Sequence, residues 1–437
     1  MFRQKIIWLI LLLALAARAG AWAFYVEPRL SAEQPLLMPD SAQFVNLSEN
    51  LSARGEFVLD DNRRAWRTPL YPLLLAALSF AGENFAVYRL LGIALDLLNV
   101  YLIYRLATQI FSRRAGYAAA AVAAIYPAFV FMSPLILSDT ISHTVILLAV
   151  FLLLKLTREN YAWRVAAGLG WVLAAATLVK PSLGLLIAPL ALYALLAAPR
   201  PRRRSAFIAA GALGLFFVLG MGGWWCRNYQ VFQRFVPLAT MGGFTLWESS
   251  GAGADGGANN GKVAFPPLWQ KMTDKLAASP TATLADAVEI EITGGVNLPL
   301  PDGGEVYLAG DLPLELAADA YLSAAAWHLL RADPQRALRL SARKFWRTWS
   351  PLPHWENARA FALPLAALYG GVALSALYSA CFRRRREILL LLIPVLYLAL
   401  VHLVYMGSLR YRLPAEGCLL ILAAGAYFPR EPRERQE

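Results

Sequence analysis

The sequence predicts an all-α polytopic membrane protein of about ten transmembrane helices, with further helices lying in the interface and one sizeable region outside the bilayer. Three observations predict it. Hydrophobic residues make up 58% of the 437-residue chain and charged residues 16%, above and below the shares of a soluble domain. Apolar runs long enough to cross a bilayer recur along the whole length, between short polar connections. Lys and Arg concentrate in alternate connections, as the positive-inside rule requires.

The first apolar run, 6–26, follows Arg3 and Lys5 and exceeds the core of a typical signal peptide, so it reads as a retained span running inside to outside. A polar stretch follows at 36–72, and then an apolar piece at 69–80 that is too short to cross and reads as interfacial or re-entrant. Spans are predicted at 85–111, 115–133, 138–156, 162–179, 182–198 and 205–225, then at 360–381, 387–407 and 413–429. The connections assigned inside carry Arg113, Arg114, Lys155, Arg158, Arg164, Arg200, Arg202 to Arg204 and Arg383 to Arg386, and the tail adds Arg430, Arg433 and Arg435. Short outside turns carry only Lys180, Arg410 and Arg412, which places both termini inside. Three regions result: an N-terminal membrane module 1–225 whose first outer loop is 27–68, an outer domain 226–358, and C-terminal helices 359–437.

Several function classes are excluded. The net charge of +12 sits beside apolar spans rather than on an aromatic-rich soluble domain, so nucleic acid is not a partner. Cys226, Cys381 and Cys418 lack CxxC spacing, and His143, His328, His354 and His402 are equally dispersed, which supports neither a disulfide framework nor a zinc site. The glycine-rich stretch 251–261 lacks the preceding strand and following Ser/Thr of a phosphate-binding loop, and reads as a lid or a plain flexible connection. From Asp333–Pro334 on, arginines interleave with Leu338, Leu340, Phe345, Trp346 and Trp349, a pattern suited to a helix in the interface.

Within the first outer loop, Asp40 precedes Phe44, Leu47 and Leu51 at helical spacing, so a short amphipathic helix would hold one carboxylate at a fixed depth. The plainer reading makes Asp40 a helix N-cap paired with Gln43. On the same membrane face lie Asp139, in the outer turn SPLILSDTISH, and the outer cations Lys180, Arg410 and Arg412, joined by Arg227 after Trp224–Trp225. For the cations the alternative is snorkelling to lipid headgroups, and for Asp139 an N-cap. Together they suggest a site for an anionic lipid headgroup. Two carboxylates on one face would also suit Mg2+ or Mn2+, although no ligand spacing compels a metal.

The order of these pieces resembles the polytopic GT-C glycosyltransferases that use polyprenyl-phosphate-linked sugars, the clan of protein O-mannosyltransferases and aminoarabinose transferases. The resemblance is carried by PDSAQFVNLSENL, RTPLYPLLLAAL, GENFAVYRLLGIALDLLNVYLIYRLA, WWCRNYQVFQRFVPLATMGGFTLW and SLRYRLPAEGCLLILAA, and covers most of the chain except about 250–310. It implies a GT-C fold. The Ala- and Arg-rich composition suits a GC-rich bacterium, so the expected setting is the bacterial inner membrane, with the active site facing the periplasm and, by the charge asymmetry, both termini cytoplasmic. The resemblance implies Asp40 as catalytic base, Asp139 as a second acidic residue, and Arg410 and Arg412 facing the lipid phosphate; Arg227 matches an arginine whose role it does not assign. Shortly after Asp40, where this group often shows a second polar or aromatic residue, the chain has Phe44.

The chemistry agrees. A sugar on a polyprenyl phosphate already has a good leaving group, so cleavage needs positive charge on the departing phosphate, which Lys180, Arg227, Arg410 and Arg412 would supply. Asp40 would take the proton of an acceptor hydroxyl on a glycan, lipid or protein, giving inversion in one displacement. The rivals are an O-antigen ligase or polymerase acting on a diphosphate-linked glycan, and a transporter or flippase of lipid-linked sugars. The last is disfavoured because polar residues gather at one face and the halves show no repeat.

Overall fold

The computed structural model describes residues 2–31, 33–79, 85–258, 263–289, 294–352, 362–382 and 386–429. Arg383 to Arg385, the basic tail from 430 on, His354, the boundary near 358 and the end of the glycine-rich stretch (259–261) lie outside the described residues.

The chain is overwhelmingly helical. In order it forms α1 (Phe2–Ala21), α2 (Pro39–Arg54), α3 (Leu70–Ala76), α4 (Phe85–Ile110), α5 (Arg113–Ile125), α6 (Pro127–Met132), α7 (Asp139–Arg158), α8 (Trp163–Val179), α9 (Ile187–Leu196) and α10 (Arg203–Phe232). Beyond these come α11 (Gly242–Ser250), α12 (Pro267–Ala278), α13 (Leu284–Val288), the hairpin β1 (Gly295–Pro299) and β2 (Glu305–Ala309), α14 (Leu314–Ala332) and α15 (Pro334–Trp349). Last are α16 (Ala362–Phe382), α17 (Arg386–Val404) and α18 (Leu409–Tyr427). Among the described residues, six helices are long and apolar enough to cross a membrane, and two shorter apolar helices accompany them. The protein is a multi-pass membrane protein.

Local chemistry explains where the helices depart from the predicted spans. The run 115–133 divides into α5 and α6 because Pro127 holds Tyr126 extended, at φ −65° and ψ 116°. The run 205–225 lengthens to a 30-residue helix, α10, which at 1.5 Å per residue outreaches the hydrocarbon and carries Arg227 beyond it. The run 182–198 opens with a 3-10 turn, Pro181–Leu186, before α9.

Two helices, α7 and α18, are enclosed by the others. Leu413 to Gly425 of α18 are buried without interruption, and α16, α17, α7, α5 and α4 pack around it. Both helices bring a charged side chain to the same end of the bundle, Asp139 at the first residue of α7 and Arg410 in the first turn of α18. That enclosure brings Arg410 to Asp139.

Deep in the bundle, α1 is pinned to its neighbours by an ion pair that lies inside an apolar run. Arg18 is fully buried; its Nη2 lies 2.6 Å from Asp96 Oδ2 on α4. Its guanidinium also donates to the carbonyls of Ala123 and Ala124. The Ala123 carbonyl is the one that Pro127, lacking an N–H, cannot engage. Replacing Arg18 with Met strands Asp96 and is expected to cost about 3–5 kcal/mol. Thermal unfolding in detergent checks this, with most of the loss recovered in Arg18→Met with Asp96→Leu.

The outer region has a core of its own around Trp247, Met272, Leu284, Leu314 and Leu322, with β1 and β2 antiparallel and Val296 opposite Leu308. Here the expectation of a free glycine-rich connection is corrected as far as residue 258. Gly407 N–H donates to Gly256 O at 2.9 Å, and Asp255 pairs with Arg347 of α15 at 2.8 Å. Gly256 sits at φ +89°, a conformation that suits glycine. Leu338, Phe345 and Trp346 of α15 are exposed, as expected of a helix lying in the interface.

Candidate active site

Helix α2 starts because Met38 is extended and Pro39 occupies its first turn, and it stops at Gly55, which takes φ +70°. Phe44, Val45 and Leu47 are buried, with Phe44 edge-on to Tyr71 of α3 at 5.0 Å. The predicted amphipathic helix is therefore present, but Asp40 is not its cap. Met38 holds the cap position, and no side chain caps the helix.

The Asp40 carboxylate instead faces cations. Arg67 Nη2 donates to its Oδ1 at 2.6 Å, and Arg410 Nη1 lies 2.7 Å from its Oδ2. Arg67 is held in turn by Gln43, whose Oε1 accepts from Nε at 2.8 Å. Burial alone would raise the Asp40 carboxyl, but the charges of Arg67 and Arg410 outweigh it and hold the group at about 2.

Asp139 is fully buried at the first residue of α7. Its Oδ1 accepts from Lys180 Nζ at 2.7 Å and its Oδ2 from Arg410 Nε at 2.5 Å. Lys180 stands where α8 ends against Pro181, with its ammonium 5.0 Å from the Tyr411 ring centre. Arg410 thus bridges the two carboxylates, one through each side of its planar fork. The result is a compact cluster of Asp40, Asp139, Lys180, Arg410 and Arg67, drawn from α2, α7, the α8 end, α18 and the loop before α3.

Two sequence-predicted cations do not join it. Arg227 donates to the carbonyls of Arg64 at 2.8 Å and Phe57 at 2.7 Å, and lies over Phe57 and Trp224, so it ties the first outer loop to α10. Arg412 is buried, pairs with Glu416 one turn on, donates to Ser350 O at 2.6 Å and covers the Tyr369 ring. Neither is free to snorkel; each is a clamp between elements. Arg67 is the residue that reading the sequence missed. It opens the motif RTPLYP, and the signal was a basic residue in an outer loop, which the topology rule disfavours.

Among the described residues no three His, Cys, Asp or Glu side chains converge, and the guanidinium of Arg410 already occupies the position between the two carboxylates. Activity is accordingly expected to survive EDTA; loss on chelation with recovery by Mg2+ or Mn2+ would contradict this.

Comparison with known proteins agrees with this architecture. A family model described as dolichyl-phosphate-mannose-protein mannosyltransferase matches residues 67–224. No curated protein matches the sequence. The archaeal oligosaccharyltransferase AglB from Archaeoglobus fulgidus, in complex with an inhibitory peptide and a dolichol-phosphate, superposes with a TM-score of 0.55 at 15% identity, covering 97% of this chain and 50% of that one. The apo form of the Archaeoglobus fulgidus oligosaccharyltransferase gives 0.55 at 16% identity, with 97% and 50% covered. The chain therefore spans about half the length of these structures. ArnT from Cupriavidus metallidurans bound to undecaprenyl phosphate gives a TM-score of 0.41 at 14% identity, covering 95% of this chain and 77% of that one. By the order and packing of its helices the chain shares the fold of these oligosaccharyltransferase structures, the GT-C fold.

Proposed function

We propose that the protein transfers a sugar from a polyprenyl-phosphate donor to an acceptor hydroxyl, with inversion, at the periplasmic face of a bacterial inner membrane. The observation that carries this reading is the cluster around Arg410. Three cations, Arg67, Lys180 and Arg410, meet two carboxylates, Asp40 and Asp139, which leaves one positive charge uncompensated. A sugar on a polyprenyl monophosphate is a phosphodiester with one negative charge, whereas a diphosphate carries two. The charge count favours the monophosphate. The binding of a dolichol-phosphate by the fold relative from Archaeoglobus fulgidus supports a lipid phosphate as the donor's anchor.

In this reading Arg410 and Lys180 take the phosphate and stabilise the negative charge that builds on it as the bond to the anomeric carbon breaks. Arg410 then shares its charge with the donor and loosens its hold on Asp40. The carboxylate is too weak a base while both arginines hold it at about 2, so its basicity rises only with donor in place. Acceptor activation is thereby coupled to donor loading. Asp139, enclosed by Lys180 and Arg410, orients these two cations.

The test supplies purified protein with the same sugar on polyprenyl monophosphate and on polyprenyl diphosphate, and measures the polyprenyl phosphate or diphosphate released. Turnover is expected with the monophosphate. Turnover confined to the diphosphate would favour the ligase or polymerase reading instead, and movement of intact donor across vesicles without release would favour a flippase.

A further inference from the structure

Helix α15 carries more positive charge than the protein itself answers. Its 16 residues include Arg336, Arg339, Arg343, Lys344 and Arg347 and no acidic side chain; the adjoining Asp333 caps the first turn by accepting from Arg336 N–H at 2.8 Å. The helix lies at the same end of the bundle as Arg410, because its inner face holds the turn between α17 and α18. Ser341 donates to Leu403 O at 3.1 Å, Lys344 Nζ donates to Val404 O, and Gly407 packs against the Lys344 backbone. That end is the one the charge asymmetry assigns outside, where Lys and Arg are disfavoured unless something takes up their charge.

Three of the five basic residues are taken up within the protein. Arg336 donates to the carbonyls of Ser250 at 2.8 Å and Gly251 at 2.5 Å, Lys344 to the Ser250 hydroxyl at 2.7 Å, and Arg347 pairs with Asp255 at 2.8 Å. The other two are not. Arg339 and Arg343 are exposed, and among the described residues no carboxylate pairs with either; Arg339 reaches only the Gln335 carbonyl one turn back. By helical spacing both fall along one edge of an exposed apolar stripe made by Leu338, Ala342, Phe345 and Trp346, in which Leu338 is 73% and Trp346 57% exposed.

We infer that this face of α15 is a docking strip for anionic phospholipid headgroups in the leaflet beside Arg410, with Arg339 and Arg343 on the phosphates and Leu338, Phe345 and Trp346 sunk among the acyl chains. Water would leave the stripe uncovered, and the strip continues from the end of a membrane-spanning helix, where lipid is the neighbour. A zwitterionic lipid covers the stripe but carries its own cation beside its phosphate. An anionic lipid brings an unanswered phosphate, which a guanidinium binds through two parallel N–H groups. Because the inner face of the same helix holds the turn that leads to Arg410, the level at which α15 lies in the lipid also sets the depth of Arg410. The inference stands independently of the transfer reading.

The experiment places the full-length protein in nanodiscs of equal parts phosphatidylglycerol and phosphatidylcholine, with a photoactivatable analogue of one lipid or the other, and maps the adducts by mass spectrometry. On peptides spanning 334–349, labelling by the phosphatidylglycerol analogue is expected to exceed that by the phosphatidylcholine analogue at least about fivefold, the worth of one basic side chain at an anionic surface. In Arg339→Gln with Arg343→Gln the ratio should fall to near one, while the ratio at Arg203 and Arg204, on the first turn of α10, stays as in wild type and shows that the variant is folded and inserted. Neither substituted side chain holds another element, so the fold is expected to survive. Equal labelling of α15 by the two lipids in wild type, an unchanged preference in the double variant, or no adduct of either lipid on α15 while the spans are labelled would overturn the proposal.

Discussion

Asp40→Asn is expected to reduce transfer by about 100- to 10,000-fold, the usual worth of a positioned general base, while leaving polyprenyl-phosphate binding intact or slightly tighter. The substitution keeps shape and removes a negative charge from a site that holds Arg67 and Arg410 at 2.6 and 2.7 Å, so the field felt by a lipid phosphate becomes more positive. Donor affinity measured on the same preparation separates the two effects. Wild-type activity in a normally folded Asn variant would remove Asp40 from the chemistry. The carboxyl is held at about 2, below its ordinary value, and so stays ionised at every higher pH. The profile of kcat/KM is accordingly expected to show no acid limb from Asp40 above about pH 3.

The second large effect distinguishes two arginines that sit one residue apart. Arg410→Ala removes the bridge between Asp40 and Asp139 and is expected to raise the donor concentration needed by about ten- to a hundredfold, the worth of one or two charged hydrogen bonds to phosphate. Arg410→Lys keeps a charge without the planar fork and should fall between. Arg412→Ala should act otherwise. Its guanidinium is committed to Glu416 and to the Thr348 and Ser350 carbonyls, so its loss strands a buried carboxylate and costs about 3–5 kcal/mol of stability. The fraction of Arg412→Ala that folds should need no more donor than wild type. Equal donor dependence for Arg410→Ala and wild type would return Arg410 to a structural role.

Much of this was legible in the sequence because membrane insertion writes its rules in composition. The span at 85–111 and the helix Phe85–Ile110 differ by a residue at one end, since an apolar run in lipid has no alternative to helix. The amphipathic helix after Pro39 was equally readable from Phe44 and Leu47. Partner choice was not. Lys180 and Arg410 share a face with Arg227 and Arg412, and nothing in spacing says which two turn inward to Asp139 and which two bind backbone carbonyls. That choice follows from the enclosure of α18, a property of long-range packing. Arg18 was hidden for a different reason: one cation in an apolar run reads as tolerable until Asp96 and the Ala123 and Ala124 carbonyls are placed around it.

The measurement that bears most directly on the central claim is a single-turnover reaction with a donor labelled in both lipid and sugar. Free polyprenyl phosphate is expected to appear in step with glycosylated acceptor in the wild-type protein, and neither should form with Asp40→Asn although the donor stays bound. Sugar transfer that proceeds equally in the Asn variant, or acceptor glycosylation without release of the lipid phosphate, would contradict it.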